Sequence, residues 1–307
     1  MKYKYYIFTI LLTILLTTFL TGCKTSAIEN LIEGNPQSSH PQKMTILKQV
    51  NINNLSVIKE ASDLAFDDET NTLYIMGDKG NLYVYDVNLE NDALNLRFQN
   101  QYKLYHPSES FNIDSEGLTT NDKNELILSF EGSPRISKLS TKGKIGQEYT
   151  LPKTLTNKHN YAEGNKMLEA VAWHQDYGIL TASEFPLNGQ DTTKQTIYAL
   201  NGDVWHFKAE SHKDNAVTAI EVMEDDNLLI LERAYKEGLI PSFYITLKKL
   251  YLDDCNAENI CKTDILYSEK MNLKNYEGLT KLGQNRYLMV TDNQDKITTD
   301  FIYFEIN

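Results

Sequence analysis

The sequence predicts an all-β fold, a β-propeller, from a repeat, from the short strands inside each repeat and from a composition that suits sheets. Five segments begin with a polar or acidic residue that is followed by small and aliphatic residues, at 62–66, 116–119, 169–173, 218–222 and 277–280. Successive segments start about 50 residues apart, which is the period of a propeller blade. Tyrosine is abundant, with 19 residues against 15 glycines and 7 prolines, and this balance favours strands over disorder.

Each repeat contains further apolar strands separated by turns. Second strands are predicted at 73–76, 125–130, 178–182, 227–231 and 286–291, and third strands at 82–87, 135–139, 196–200, 243–252 and 301–306. A fourth strand is visible in four repeats, at 94–104, 144–151, 203–208 and 263–267. Short runs bounded by Asn, Asp and Gly are typical of strands in hairpins, so each repeat predicts a four-stranded antiparallel blade.

The number of blades follows from the number of repeats. Five repeats favour five blades, and a sixth, degenerate blade in the longer spacers remains an alternative. The last repeat stops after its third strand, while the apolar stretch Met44–Ile52 lies outside the first repeat. We expect this N-terminal strand to complete the last blade and close the ring, because closure removes two exposed sheet edges.

The first 22 residues resemble a bacterial lipoprotein signal peptide. Lys2 and Lys4 precede an uncharged run at 6–20, which is shorter than the roughly 20 residues of a spanning helix. The run ends in Leu20-Thr21-Gly22-Cys23, which resembles a lipobox, where the chain is cut before the cysteine and the thiol is acylated with fatty acids such as palmitate. The alternatives are an ordinary signal peptide and an uncleaved anchor helix with an incidental cysteine.

The resulting organisation is a signal peptide at 1–22, a lipidated flexible tether at 23–43 and a propeller domain at 44–307. The tether is polar and without periodicity. Lys24 stands where an aspartate would favour inner-membrane retention. The expected location is therefore the cell envelope, lipid-anchored in the outer membrane and facing the periplasm or the cell surface.

Charge and cysteine content restrict the partners. Acidic side chains number 42 and basic ones 30, which argues against nucleic acid or an anionic bilayer as the partner of the folded domain and is compatible with a bound cation. Cys255 and Cys261 are expected to form a disulfide in an exported chain; two metal thiolates are the alternative, without a second Cys or His pair at zinc spacing. The chain is expected to be a monomer.

Acidic residues recur at equivalent places in the repeats. The start of a blade's first strand lies beside the end of its second, so the sequence pairs Glu116 with Glu131, Glu169 with Glu184, Glu277 with Asp292 and Asp63 with Asp78. The fourth repeat offers Thr218 with Glu232 and Arg233. These ends share one mouth of the central channel, where clustered carboxylates suit Ca²⁺. The alternatives are staples between blades and a polar channel without a ligand.

At these residues the chain resembles the family "esterase-like activity of phytase". The similarity rests on five elements in order, at 114–118, 165–171, 228–233, 276–279 and 290–293. It spans about residue 60 to the C-terminus and departs from the pattern at Ser62, which stands at a glutamate position. The resemblance implies a propeller-like fold and hydrolysis of phosphoesters or esters by acidic residues.

Two functions are open at this point, a metal-assisted phosphoester or ester hydrolase and a propeller that binds a cation, a small anionic or phosphorylated ligand or an envelope protein without catalysis. No Gly-x-Ser-x-Gly elbow, HExxH motif or Walker loop is present. The candidate catalytic residues are Glu116, Glu169, Glu232, Arg233 and Glu277. The candidate substrate-binding residues are Asn165, Lys166 and Arg233, and the candidate ligands of Ca²⁺ are Glu116, Glu131, Glu169, Glu277, Asp292 and Asn293.

Overall fold

The strands in the part of the chain that the structure describes form five four-stranded antiparallel sheets. The computed structural model describes residues 43–52, 58–90, 93–107, 113–240, 242–292 and 298–307. The predicted signal peptide, the tether with Cys23, and Asn293 lie outside these residues. Within the described ranges, no helix has the length and apolar character needed to cross a membrane.

Four of the sheets are built from consecutive strands. Blade 1 contains β2 (Ala61–Asp67), β3 (Thr72–Gly77), β4 (Asn81–Glu90) and β5 (Ala93–Lys103). Blade 2 contains β6 (Ser115–Thr120), β7 (Leu126–Phe130), β8 (Arg135–Leu139) and β9 (Ile145–Glu148). Blade 3 contains β10 (Leu168–His174), β11 (Gly178–Ser183), β12 (Lys194–Ala199) and β13 (Val204–Lys208). Blade 4 contains β14 (Asn215–Val222), β15 (Leu228–Lys236), β16 (Ser242–Cys255) and β17 (Cys261–Asn272).

Blade 5 joins the two ends of the described chain. Its order is β18 (Asn275–Gly283), β19 (Arg286–Asp292), β20 (Thr299–Ile306) and then β1 (Met44–Ile52). Strand β1 runs antiparallel to β20, with Met44 opposite Ile306 and Ile52 opposite Thr299. The predicted closure by an N-terminal strand and the count of five blades are both confirmed.

The first strands of the five blades line the centre of the ring. Contacts run from β2 to β6, β10, β14, β18 and back to β2. Buried apolar side chains pack between neighbouring blades, and the largest fully buried side chains include Tyr83, Tyr85, Tyr276, Tyr287 and Tyr303. These five tyrosines therefore fill space between the sheets, where each large ring buries much apolar surface.

Between blades 2 and 3 the chain leaves the sheets. A short helix, α1 (Lys153–Thr156), and a 3₁₀ turn at Lys158–Asn160 lie there. The side chain of Asn157 caps the 3₁₀ turn by accepting from the His159 N–H, as Asn commonly does at helix starts. This segment lies just before the residues that approach the channel mouth.

The outer hairpin of blade 4 carries a disulfide. Cys255 ends β16 and Cys261 begins β17, and their sulfur atoms are 2.08 Å apart. The predicted Cys255–Cys261 bond is confirmed. The turn that the disulfide closes contacts blade 3, where the backbone N–H of His206 donates to the carbonyl of Asn259 at 2.7 Å.

Candidate functional site at the channel mouth

Every blade has a β-bulge at the same point of its first strand. The register with the second strand shifts between Ala61 and Asp63, Ser115 and Leu118, Leu168 and Ala170, Val217 and Ala219, and Tyr276 and Gly278. A bulge leaves an extra residue unpaired and re-aims its side chain. The bulged positions are those at which the sequence repeats begin, Ser62, Glu116, Glu169, Thr218 and Glu277.

Glycine follows the bulged glutamate in two blades because the neighbouring backbone lies too close for a side chain. A Cβ at Gly117 would lie 2.8 Å from the carbonyl oxygen of Glu169, in the next blade. A Cβ at Gly278 would lie 2.8 Å from the Cα of Asp63. The Glu-Gly pairs of the sequence therefore mark places where two channel-lining strands touch.

A second set of equivalent residues stands at the ends of the second strands. Opposite the first strands, the register pairs Ala61 with Gly77, Ser115 with Phe130, Leu168 with Ser183, Val217 with Glu232 and Tyr276 with Thr291. The residues that come next are Asp78, Glu131, Glu184, Arg233 and Asp292. The mouth thus carries four acids and one arginine at one level, beside the glutamates on the bulges.

Three of these glutamates converge within blades 2 and 3. Glu131, Glu169 and Glu184 each offer a carboxylate oxygen, and these atoms all lie within 4.8 Å of one another. The three residues are between 5% and 8% exposed. Asp114, Glu116 and Glu131 form a second such group, so Glu131 belongs to both. All the donors are oxygen atoms, which suits a hard cation such as Ca²⁺.

The hydrogen bonds of this carboxylate group are incomplete. Glu131 accepts the backbone N–H of Met167 at 3.0 Å, whereas the carboxylate of Glu169 has no hydrogen bond or ion pair with any residue that the structure describes. A buried carboxylate without a partner is costly unless its charge is compensated. The residues present therefore fit a divalent cation.

Arg233 is the cation that the chain itself supplies on the other side of the mouth. Its guanidinium lies 3.0 Å from Glu184 and 3.1 Å from Glu277 and donates to the side chain of Asn275 at 3.3 Å. The ammonium of Lys166 is more distant, 3.8 Å from Glu184. The single arginine is shared between blades 3 and 5.

Burial and mutual repulsion shift the protonation of the mouth. Burial, and then Glu184, raises the pKa of Glu131 to about 8. Burial raises the pKa of Glu277 to about 8 with help from Asp292 and Asp78, although Arg233 opposes the shift. Glu169 and Glu116 also have raised pKa values, first through burial and then through neighbouring glutamates. The mouth thus holds more carboxyl groups than its own cations neutralise.

A cleft opens beside the carboxylate group on the side of blade 3. Its volume is about 390 Å³, and its lining includes Gly132, Lys158, His159, Met167 and Asn188. Gly132 follows Glu131 in the chain, and Met167 donates to Glu131, so the cleft adjoins the carboxylates. Lys158 and His159 bring polar groups to its wall.

A family model matches residues 57–295 and is described as "Phytase-like: Esterase-like activity of phytase". The match covers most of the chain. The chain belongs to this phytase-like family. No curated protein matches the phytase-like chain.

The solved structures that match this chain have low sequence identity to it. A streptogramin B lyase is 9% identical over 84% of this chain and 98% of its own, with a TM-score of 0.41. A virginiamycin B lyase from Staphylococcus aureus is 11% identical over 85% and 99%, with a TM-score of 0.36. A member of the DUF4221 family from Bacteroides vulgatus is 9% identical over 86% and 98%, with a TM-score of 0.45. Scores this low carry no argument about activity.

The structure does not bring every candidate residue of the phytase-like chain to the mouth. Glu232 is fully buried away from it, where Lys248 contacts its Oε2 at 2.5 Å and Asn215 donates to its Oε1 at 2.8 Å. Successive residues of a strand point to opposite faces, so Glu232 and its neighbour Arg233 cannot both face the mouth.

The remaining candidates are near the mouth to different degrees. Glu116, Glu131, Glu169 and Glu277 lie in it, and Asp292 ends β19 within 3.4 Å of the amide of Asn275. Lys166 lies at its edge, while Asn165 is exposed on the preceding turn. Asn293 lies outside the described residues.

The sequence does not indicate the roles of two polar residues of the phytase-like propeller, Asn275 and Asp63. Asn275 links Arg233, Glu277 and Asp292, and nothing in its position along the repeat distinguishes it from other turn residues. Asp63 is buried and accepts the backbone N–H of Leu118 at 2.8 Å and of Leu279 at 2.9 Å. Asp63 therefore links blade 1 to blades 2 and 5. This is the role of a staple between blades, the alternative to a calcium ligand that the sequence left open.

Proposed function

We propose that the channel mouth is the active site of a metal-assisted phosphoester hydrolase. The observation that carries the proposal is the group of Glu131, Glu169 and Glu184, whose oxygens lie within 4.8 Å of one another, while the carboxylate of Glu169 has no hydrogen bond or ion pair in the described part of the chain. The family name, esterase-like activity of phytase, supports the same class of reaction.

These three glutamates would hold the cation, with Ca²⁺ favoured by the all-oxygen donor set. A bound divalent cation supplies positive charge that stabilises the negative charge developing on a phosphoryl group. Asp114 extends the donor set, because its carboxylate lies in one group with that of Glu131. We place Asp292 and Asn293 as more distant candidates.

The chain's own residues would position the substrate. Lys166 at the edge of the mouth and Lys158 in the adjoining cleft offer donors to a small anionic ligand, whereas the side-chain amide of Asn188 already donates to the carbonyls of His159 and Tyr161. Glu116 makes no hydrogen bond to a described residue, and we assign it the transfer of a proton to the departing oxygen. Glu277 holds Arg233 in place through their 3.1 Å ion pair.

The test is hydrolysis of phosphomonoesters and phosphodiesters by residues 43–307, with Ca²⁺ and with a chelator. This range contains every strand of the closed ring. Glu169→Gln should abolish Ca²⁺-dependent turnover and the Ca²⁺-dependent rise in melting temperature. The matched control is Glu258→Gln, at an exposed glutamate on the disulfide turn, which should change neither. Turnover that persists in chelator and in Glu169→Gln would refute the proposal.

A second candidate is binding of a cation and a small ligand without turnover. It is favoured by the ion pairs of Arg233, which is engaged by both Glu184 and Glu277 and would have to release one of them to grip a phosphate in the bidentate manner. Ca²⁺-dependent binding of inorganic phosphate without turnover of any ester would select this candidate.

We also propose that the mature chain is exported, acylated at Cys23 and held at the outer membrane as a monomer. The motif Leu20-Thr21-Gly22-Cys23 after an uncharged run supports this. Replacing Cys23 by Ala should release the protein from the membrane fraction, and unchanged association would count against acylation. The excess of acidic side chains supports a small ligand rather than nucleic acid as the partner of the domain.

A further inference from the structure

Blade 4 extends beyond the channel mouth, unlike blades 1, 2 and 3. Strands β3, β7 and β11 each end one residue before the acid that they contribute to the mouth. Strand β15 instead continues past Arg233 to Lys236. It pairs there with β16, Lys236 opposite Ser242, and β16 pairs with β17 as far as Asn272. Three additional residues at about 3.3 Å each raise this corner by about 10 Å.

The raised corner contains most of the exposed large apolar side chains in the described part of the chain. Among the residues that the structure describes, seven large hydrophobic side chains are exposed, and four of them stand here: Tyr235 at 46%, Leu239 at 107%, Ile240 at 60% and Leu273 at 51%. Leu239 and Ile240 occupy the turn after β15, and Leu273 occupies the turn after β17. The register places both turns at the same end of blade 4, with Lys236 opposite Ser242 and Ser242 opposite Asn272, and we call these four residues the apolar corner.

The charges beside the apolar corner differ from those of the whole chain. Lys236 and Lys270 are exposed at its base beside Tyr244, while the exposed acids are Glu237 in the first turn and Glu269, which lies on the opposite face of β17 from Lys270. The chain as a whole has a net charge of −12. A corner with two lysines around projecting Leu and Ile side chains is complementary to an anionic lipid surface.

The shape of the corner favours a bilayer over a protein partner. A stable protein interface buries about 800 Å² on each partner and is well packed. The corner is instead two narrow turns whose side chains project singly, with Leu239 fully exposed. Side chains that project in this way can enter the soft acyl and headgroup region of a bilayer without a complementary surface.

We propose that the apolar corner of blade 4 inserts into a lipid bilayer that contains anionic lipids. Insertion would bring the channel mouth next to the headgroups, because Arg233 on the same strand belongs to the mouth. The contact depends on neither the acylation of Cys23 nor the hydrolase activity, so it is tested without both.

The experiment is co-sedimentation of residues 43–307, which lack Cys23, with vesicles. Vesicles of phosphatidylglycerol and phosphatidylethanolamine should pellet the domain, and phosphatidylcholine vesicles should pellet less of it. The double variant Leu239→Asp with Ile240→Asp should lower the partition coefficient about tenfold or more. The control with the same charge change is Phe98→Asp with Tyr105→Asp, at exposed sites of blade 1, and should bind like the unchanged domain.

A second measurement reports on the corner directly. The emission of Leu239→Trp should shift to the blue when anionic vesicles are added, because the indole leaves water. Failure of the unchanged domain to bind vesicles, equal binding by the double variant, or an unshifted emission would overturn the proposal. A dimer in analytical ultracentrifugation that the double variant loses, without vesicle binding, would overturn it in favour of a second copy of the chain.

Discussion

Without a bound cation, the free energy of unfolding is expected to fall as the pH rises from about 6 to about 8. The pKa of Glu131 and of Glu277 is raised to about 8 from a usual 4.5, chiefly by burial. A carboxyl group whose pKa is higher in the folded state stabilises that state in its protonated form. Its contribution is complete below the pKa of the unfolded chain and is lost as the pH rises through about 8.

The size of the effect follows from these pKa values. One pKa unit corresponds to about 1.4 kcal/mol, so a single group with a folded pKa near 8 loses up to about 3 kcal/mol between pH 6 and pH 8. Glu277 keeps some access to water, with 15% of its side chain exposed, and the acids of the mouth titrate together. We therefore expect a combined loss of about 2–3 kcal/mol rather than the sum.

The assay is denaturant unfolding of residues 43–307 in chelator at several pH values, repeated in saturating Ca²⁺. Ca²⁺ should remove most of the pH dependence, since it favours the charged carboxylates that the rising pH creates. Glu131→Gln should flatten the dependence in chelator, and Glu258→Gln on the exposed turn should leave it unchanged. A free energy of unfolding that is constant or rises with pH in chelator would refute the reasoning.

Three further predictions concern the frame that holds the mouth. Asp63→Ala should lower the free energy of unfolding by about 3 kcal/mol, because two buried N–H groups lose their acceptor; an unchanged urea midpoint would contradict the staple. A chain that begins at residue 56 should melt below one that begins at residue 40, since β20 loses its partner β1, and equal melting temperatures would contradict closure. Thiol titration of the denatured, unreduced domain should find neither Cys255 nor Cys261 reactive, and reduction should cost about 2–3 kcal/mol of stability; two reactive thiols would exclude the bond.

Most of the architecture could be predicted from the sequence, because the signals for a blade are local, whereas the choice of five blades over six needed the structure. The alternation of apolar residues, the turns rich in Asn, Asp and Gly, and the repeat of about 50 residues are properties of neighbouring residues. They placed four strands in each blade and identified β1 as the closing strand. The period also located Glu116, Glu169 and Glu277 at equivalent points, which put them at one mouth.

Tertiary structure decided which acids form the site and which hold the frame. The sequence offered Glu232 and Arg233 as one pair, and only the register, Val217 opposite Glu232, shows that Arg233 is the residue of the mouth. In the sequence, Asp63 is one of several acids near the start of a first strand. In the structure it accepts backbone N–H groups from two other blades. Its function depends on contacts between residues far apart in sequence. A local sequence pattern does not show which residues of different blades lie close together. The same holds for the 4.8 Å group of Glu131, Glu169 and Glu184, which exists only because two bulged hairpins from adjacent blades meet at the channel.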